Sequence, residues 1–137
     1  MLRKLVLAVD GSEESGKAAD LAEAIAHRFE SAVLVVHVRA LVYSGAAAWA
    51  PEWVPELDAF MVDFVRRLTA EGREANSEIL EAPEHHEGHA IADAAARTRA
   101  DLIVMGSRGR SRLANVVLGS VVDEVLHRAS CPVLVVR

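Results

Sequence analysis

A single cysteine, Cys131, is all that this 137-residue chain contains. No disulfide can form within it, which fits a fold kept in a reducing cytoplasm. Although 52% of the residues are hydrophobic, no uninterrupted apolar run approaches the roughly 20 residues that a membrane helix requires. The opening residues, Met1-Leu-Arg-Lys-Leu-Val-Leu7, enter a strand at once, with no extended apolar leader and no small-residue cleavage site, so a soluble, non-secreted protein is expected. Cations are also short. A formal charge of -5 leaves no broad basic face for displacing counterions, so nucleic acid is not expected as a partner, and without a long apolar run neither is a membrane. Two motifs are absent as well: no GxxxxGK(S/T) loop occurs anywhere, and no GxGxxG follows the first strand. With no internal repeat or low-complexity linker, the length predicts one domain over residues 1–137.

What is present alternates. Val6–Asp10 reads as a buried strand, Ala18, Leu21, Ala22, Ile25, Ala26 and Phe29 recur at helical spacing, and Ala32–Val38 is a second apolar run. A helix carrying Leu57, Phe60, Met61, Phe64, Val65 and Leu68 comes next. After it stand a weaker, polar strand near Asn76–Glu81, a helix from about Gly88 to Arg99, and a strand over Leu102–Met105. A last helix, with Leu118, Val121, Val122, Val125, Leu126 and Ala129 on one face, leads to the strand Val133–Val136. Such alternation predicts an α/β fold: an open, parallel, five-stranded sheet with helices on both faces, Rossmann-like.

Where the fourth of these strands hands over to the last helix stands Gly106-Ser-Arg-Gly109, and nine residues later Gly119-Ser120. Glycines at such a place let backbone N–H groups approach an anion, and a helix N-terminus favours phosphate oxygens. Arg108, Arg110 and Arg112 make this the one strongly basic stretch of an acidic chain, suited to one small anion. The competing reading is a glycine-rich turn that only connects two elements.

The spacing GxxGx9GS, together with Asp10-Gly-Ser12, His37-Val38, Asp101-Leu-Ile-Val-Met-Gly-Ser-Arg-Gly109 and Cys131-Pro-Val-Leu-Val-Val136 in this order, resembles the ATP-binding subgroup of the universal stress protein family across essentially the whole chain. The resemblance implies strand order 3-2-1-4-5, which places Asp10 and Gly106 at the carboxyl ends of neighbouring strands, around the switch point where ligands of open sheets sit. It further implies an adenine-nucleotide site formed by Ala8, Val9, Asp10, Val38, Met105, Gly106, Arg108, Gly109, Gly119, Ser120, Val121 and Val122. Val38 would act chiefly through its backbone. The ligand would be ATP, or ADP, AMP or cyclic AMP, with Mg or Mn held through the nucleotide and Asp10. Val122 stands where many ATP-binding members carry a hydroxyl, so one contact to the phosphates is missing, and Arg108 is placed to compensate in part. A homodimer through Val133–Val136 and a stress-response or regulatory role toward a protein partner are also implied. Two alternatives stand beside this: a slow Mg-dependent nucleotide hydrolase, for which no residue to position water is evident, and a nucleotide-free interaction module.

Other residues carry plainer expectations. Asp10 also fits a carboxylate capping the helix that comes after it. His37 reads as a half-buried strand-end residue. His85, His86 and His89 offer three imidazoles, the makings of a zinc or nickel site, but Pro83 and Gly88 favour the alternative of a solvated loop. Cys131 reads as a small core residue. The segment from Tyr43 to Pro55, with Trp49 and Trp53, is longer than an ordinary strand-to-helix link and is the least family-like part. It is expected either to cover the cleft or contact a partner, or to be a surface insertion.

Overall fold

The computed structural model describes residues 1–50, 54–107 and 118–137. Its elements in chain order are β1 (Lys4–Ala8), α1 (Glu13–Phe29), β2 (Ala32–Ser44), β3 (Ala47–Trp49), α2 (Pro55–Ala70), β4 (Ala75–Pro83), α3 (Glu87–Thr98), β5 (Leu102–Gly106), α4 (Ser120–Arg128) and β6 (Val133–Val136). β1 and β5 are short apolar runs buried on both faces, as central strands of a parallel sheet must be. β4 is the polar strand of the set and lies at the sheet's margin, paired with β2.

The parallel strands lie in the order β4-β2-β1-β5-β6, the expected 3-2-1-4-5 when only parallel strands are counted. Among the described residues the sheet nevertheless has six strands, not five. β2 runs on past Val38 to Ser44, turns at Gly45 with φ of +61°, and pairs antiparallel with β3 through Val42↔Trp49, Tyr43↔Ala48 and Ser44↔Ala47. The sheet is therefore mixed. Arg39–Ser44 continues the β-branched and aromatic character of the strand, and a positive-φ glycine is the residue type that closes a tight hairpin.

Two cores result. On one face Leu5, Leu7, Val33, Val35 and Val104 pack against Ala18, Ala22 and Ala26 of α1 and Leu57, Met61, Phe64 and Leu68 of α2. On the other, Val6, Ala8, Val36, Ile103 and Met105 pack against Ile91 and Ala95 of α3 and Val122 and Val125 of α4. Not every residue at helical spacing is inside: Leu21, Phe29, Leu118 and Leu126 are exposed, because each helix has room for only a narrow stripe against the sheet.

At the amino end of the sheet the starts of β1, β2 and β5 are tied together. Asp101 accepts from the N–H groups of Arg3 (2.8 Å) and Lys4 (3.0 Å), and its own N–H donates to Lys4 O at 2.8 Å. Ala32 N–H donates to Arg3 O at 2.8 Å, and the Ser31 hydroxyl to Leu2 O.

Candidate functional site

At the carboxyl ends of β1, β2 and β5 the elements separate into a cleft of about 300 Å³. Its walls are set by residue alternation. Val36, Val38 and Ala40 of β2 face it from one side, Ala8 and Met105 from the floor, and Ile91, Val121 and Val122 from the covering helices.

β2 has a particular arrangement here. Ala32 N–H and Val36 O bond to β1, at Arg3 O (2.8 Å) and Val9 N–H (2.9 Å), whereas Val33 N–H bonds to Glu74 O ahead of β4 at 2.9 Å. Even-numbered residues of β2 thus turn their backbone groups toward β1, and odd-numbered ones toward β4. Val38 is even-numbered. In a continued parallel ladder its N–H would reach Val9 O, but that carbonyl accepts from His37 Nδ1 at 2.8 Å. The N–H and C=O of Val38 are left without a partner among the described residues, at the edge of the cleft. A carbonyl only accepts, so His37 Nδ1 carries a proton. His37 is itself buried and lies within β2, not at its end.

The turn after β1 is built from side-chain bonds. Asp10 Oδ1 accepts from Ser12 N–H at 2.9 Å, and Ser12 caps α1 by accepting from Ser15 N–H at 3.1 Å. The helix cap expected of Asp10 therefore belongs to Ser12; Asp10 forms the turn that leads into it. Its second carboxylate oxygen has no partner among the described residues.

On the β5 side, Gly106 has a packing role that the glycine-loop reading did not include. A Cβ there would lie 2.8 Å from Glu14 C and 2.9 Å from Ser15 N, so only glycine lets α1 settle on the strand end. Buried Ser107 then links three pieces: its N–H donates to Val136 O (2.7 Å), and its C=O accepts from Gly119 N–H (2.9 Å). The Gly119 N–H, expected at a phosphate, is thus used within the protein. Gly119 instead precedes α4 at φ -70°, ψ 158°, and the next N–H groups, those of Ser120, Val121 and Val122, are the first-turn donors with no intrahelical acceptor.

Of the site residues expected from sequence, Ala8, Val9, Asp10, Val38, Met105, Gly106, Gly119, Ser120, Val121 and Val122 all line this one cleft. Arg108 and Gly109, with Arg110 and Arg112, lie outside the described residues, as does Trp53. Ser15, Val36, His37, Ala40, Glu87 and Ile91 also line it and were not among the expected site residues. Ile91 is legible as the inward position of α3, but Glu87 joins only through the tertiary approach of that helix. Asp10 and Glu87 are acidic, and no Lys or Arg is among the described lining residues.

The histidines do not form a metal centre among the described residues. His85 has φ of 70° in the turn, His86 precedes α3, and His89 lies inside the helix, its backbone N–H bonded to Glu124 Oε1 at 2.9 Å. His86 and His89 meet edge to face with ring centroids 5.1 Å apart. Cys131 is half-buried, and desolvation, with the nearby Asp101 charge, pushes its thiol up from the ordinary value, away from reactivity. Trp49 stands exposed on β3.

A sheet whose parallel strands are wound in both directions, with an open cleft at the reversal between β1 and β5, defines an α/β protein of the doubly wound class. The family model of the universal stress proteins matches residues 1–137, and the chain belongs to that family. It is 33% identical over 144 residues to a universal stress protein of Methanocaldococcus jannaschii, covering all of this chain and 83% of that one. It is 30% identical to the YxiE universal stress protein of Bacillus subtilis, with each chain covered in full. Among solved structures, hypothetical protein MJ0577 superposes with a TM-score of 0.75 at 24% identity, over 99% of this chain and 96% of that one. A universal stress protein in complex with cAMP gives 0.69 at 24% identity over 99% and 97%. An Arabidopsis thaliana member with AMP bound gives 0.64 at 22% over 98% and 90%. At these identities the superpositions establish the fold.

Proposed function

We propose that this chain binds an adenine nucleotide in the cleft at the carboxyl ends of β1, β2 and β5, and acts as a dimeric, cytoplasmic stress-response module. The observation that carries the reading is the backbone of Val38. An N–H donor and a C=O acceptor on one residue, both unpartnered among the described residues at the edge of an apolar cleft, match the alternating acceptor and donor of a purine edge. The apolar walls of Ala8, Val36, Ile91 and Met105 suit the faces of a flat ring. From there the first-turn N–H groups of α4 and the Ser120 hydroxyl stand on the phosphate side. Family members bound to cAMP and to AMP support this class of ligand.

Asp10 fits a ribose hydroxyl, or a Mg or Mn ion already carried by phosphates, since one oxygen is tied to Ser12 N–H and the other is open. It does not fit a metal site made by protein alone, as no third ligand gathers around it among the described residues. Bound Mg would neutralise phosphate charge beside the two cleft carboxylates. ATP is the proposed form, with Arg108 meeting the terminal phosphates in place of the hydroxyl that Val122 lacks. Calorimetry decides between ligands: a micromolar Kd for ATP or AMP is expected, and no heat with ATP, ADP, AMP or cyclic AMP at millimolar concentration would end the reading. Mass spectrometry of the purified protein for carried-over nucleotide is the complementary check.

The dimer is proposed through β6, which pairs with β5 alone among the described strands, has four apolar residues and carries no charge to blunt its outer edge. Light scattering at tens of micromolar should give twice the chain mass, and Val135→Lys should shift it to monomer or aggregate.

A further inference from the structure

We infer that His37 is a positioning residue that holds the nucleotide site open: by occupying Val9 O, its imidazole stops the β1–β2 ladder one rung early and reserves the backbone of Val38 for the ligand. The inference rests on the nucleotide reading for its last clause only; the halted ladder is a property of the protein without ligand.

The geometry has three parts. The ladder between β1 and β2 keeps perfect register up to its last rung, Val9 N–H to Val36 O at 2.9 Å. The next rung would be Val38 N–H to Val9 O, and both groups lie on strands already aligned for it. In its place His37 Nδ1 donates to that carbonyl at 2.8 Å. His37 is odd-numbered, so its side chain belongs to the face of Val33 and Val35, which pack under α1 and α2, while Val36 and Val38 face the cleft. The imidazole therefore reaches Val9 O from the face opposite Val36 and Val38, at the margin of the cleft that His37 helps to line.

Chemistry gives this contact two consequences. A buried carbonyl left unsatisfied costs free energy, so removing the imidazole donor leaves Val9 O in need of a donor, and Val38 N–H is the backbone group that continuing the parallel ladder would direct at it. Closing that rung would draw β2 toward the end of β1 and withdraw the donor that a purine edge would use. The protein would lose ligand affinity while gaining a strand bond in compensation. An ordinary core histidine would do the opposite, losing stability first.

The test compares the parent with His37→Leu and His37→Asn. The Asn amide nitrogen occupies nearly the place of Nδ1 and can donate to Val9 O, whereas Leu cannot. In ligand-free protein followed by amide exchange, the parent's Val38 N–H should exchange much faster than that of Val36, and become protected in His37→Leu. Affinity for AMP should fall at least about tenfold in His37→Leu and stay within about threefold of the parent in His37→Asn. Fast exchange at Val38 persisting in His37→Leu, or undiminished AMP binding by that variant, would overturn the inference. If His37→Leu fails to fold, the parent alone still decides: a Val38 amide protected as strongly as Val36 contradicts it. If the parent binds no nucleotide at all, the nucleotide reading fails, and the exchange arm still decides whether His37 halts the ladder.

Discussion

The two ends of the sheet treat their backbone groups in opposite ways. At the amino end, Asp101 ties down Arg3 and Lys4, and Ala32 closes on Arg3 O. At the carboxyl end Val38 has neither bond of its ladder, α4 begins on free N–H groups, and one oxygen of Asp10 is uncommitted among the described residues. Both ends are made of the same strands, so the difference comes from the turns attached to them. Polar groups without protein partners cost stability, and a fold retains them where a ligand can satisfy them. The amino end should therefore answer to stability measurements, and the carboxyl end to binding measurements.

The largest expected effect breaks that separation. Gly106 lies at the carboxyl end, but its missing Cβ serves packing, since an added carbon would meet the α1 backbone at 2.8 Å with no flexible side chain to yield. Gly106→Ala should lower unfolding free energy by about 1–3 kcal/mol in urea denaturation. It should also weaken nucleotide binding by displacing the turn that carries Asp10. Unchanged stability would mean that α1 shifts freely, and the packing role would be withdrawn.

Why Gly106 looks like a phosphate glycine is instructive. From sequence, a glycine after a buried strand marks close backbone approach, but the approaching partner is not encoded nearby; here it is Glu14 and Ser15, far away in the chain. Buried apolar runs and right-handed crossovers only narrow the arrangements of the parallel strands, and their order was legible through the family resemblance. The hairpin from β2 to β3 was not, since Arg39–Ser44 runs directly into a stretch rich in tryptophan and proline that has the composition of a loop. Cleft residues at strand ends could be read from motifs such as Asp10-Gly-Ser12. His37 could not, because its importance lies in a single bond to Val9 that depends on the strand register.

A pair of matched substitutions sharpens the comparison. Asp10→Asn keeps an oxygen for Ser12 N–H and removes the charge, so the turn should survive. Binding of ATP should weaken about tenfold with Mg present, or roughly 1.4 kcal/mol, and less with chelator, at nearly unchanged stability. Equal losses with and without Mg would assign Asp10 to the ribose or the turn, not to an ion. Ser120→Ala should cost less in calorimetry, about 0.5–1.5 kcal/mol of binding, because one neutral hydroxyl goes while the N-terminus of α4 stays.

The smallest effect belongs to the amino end and is a matter of pH. The backbone N–H groups of Lys4, then Arg3, hold the Asp101 carboxyl below its ordinary value. A carboxylate so lowered contributes stability that is complete above its unfolded value, about 4, and that disappears as pH falls through the lower folded value. Protein without ligand should thus lose part of its stability as acid is added below about pH 4, and Asp101→Asn should flatten that portion of the curve. At neutral pH the variant should lie slightly below the parent, since its amide oxygen still accepts both N–H bonds but without charge. The group faces solvent, which screens it, so the change stays modest. Nucleotide affinity at neutral pH should not move. A loss of affinity in Asp101→Asn larger than its loss of stability would mean that the two ends are coupled through β1 and β5, and that the division between a closed end and a receptive one is not a division of labour.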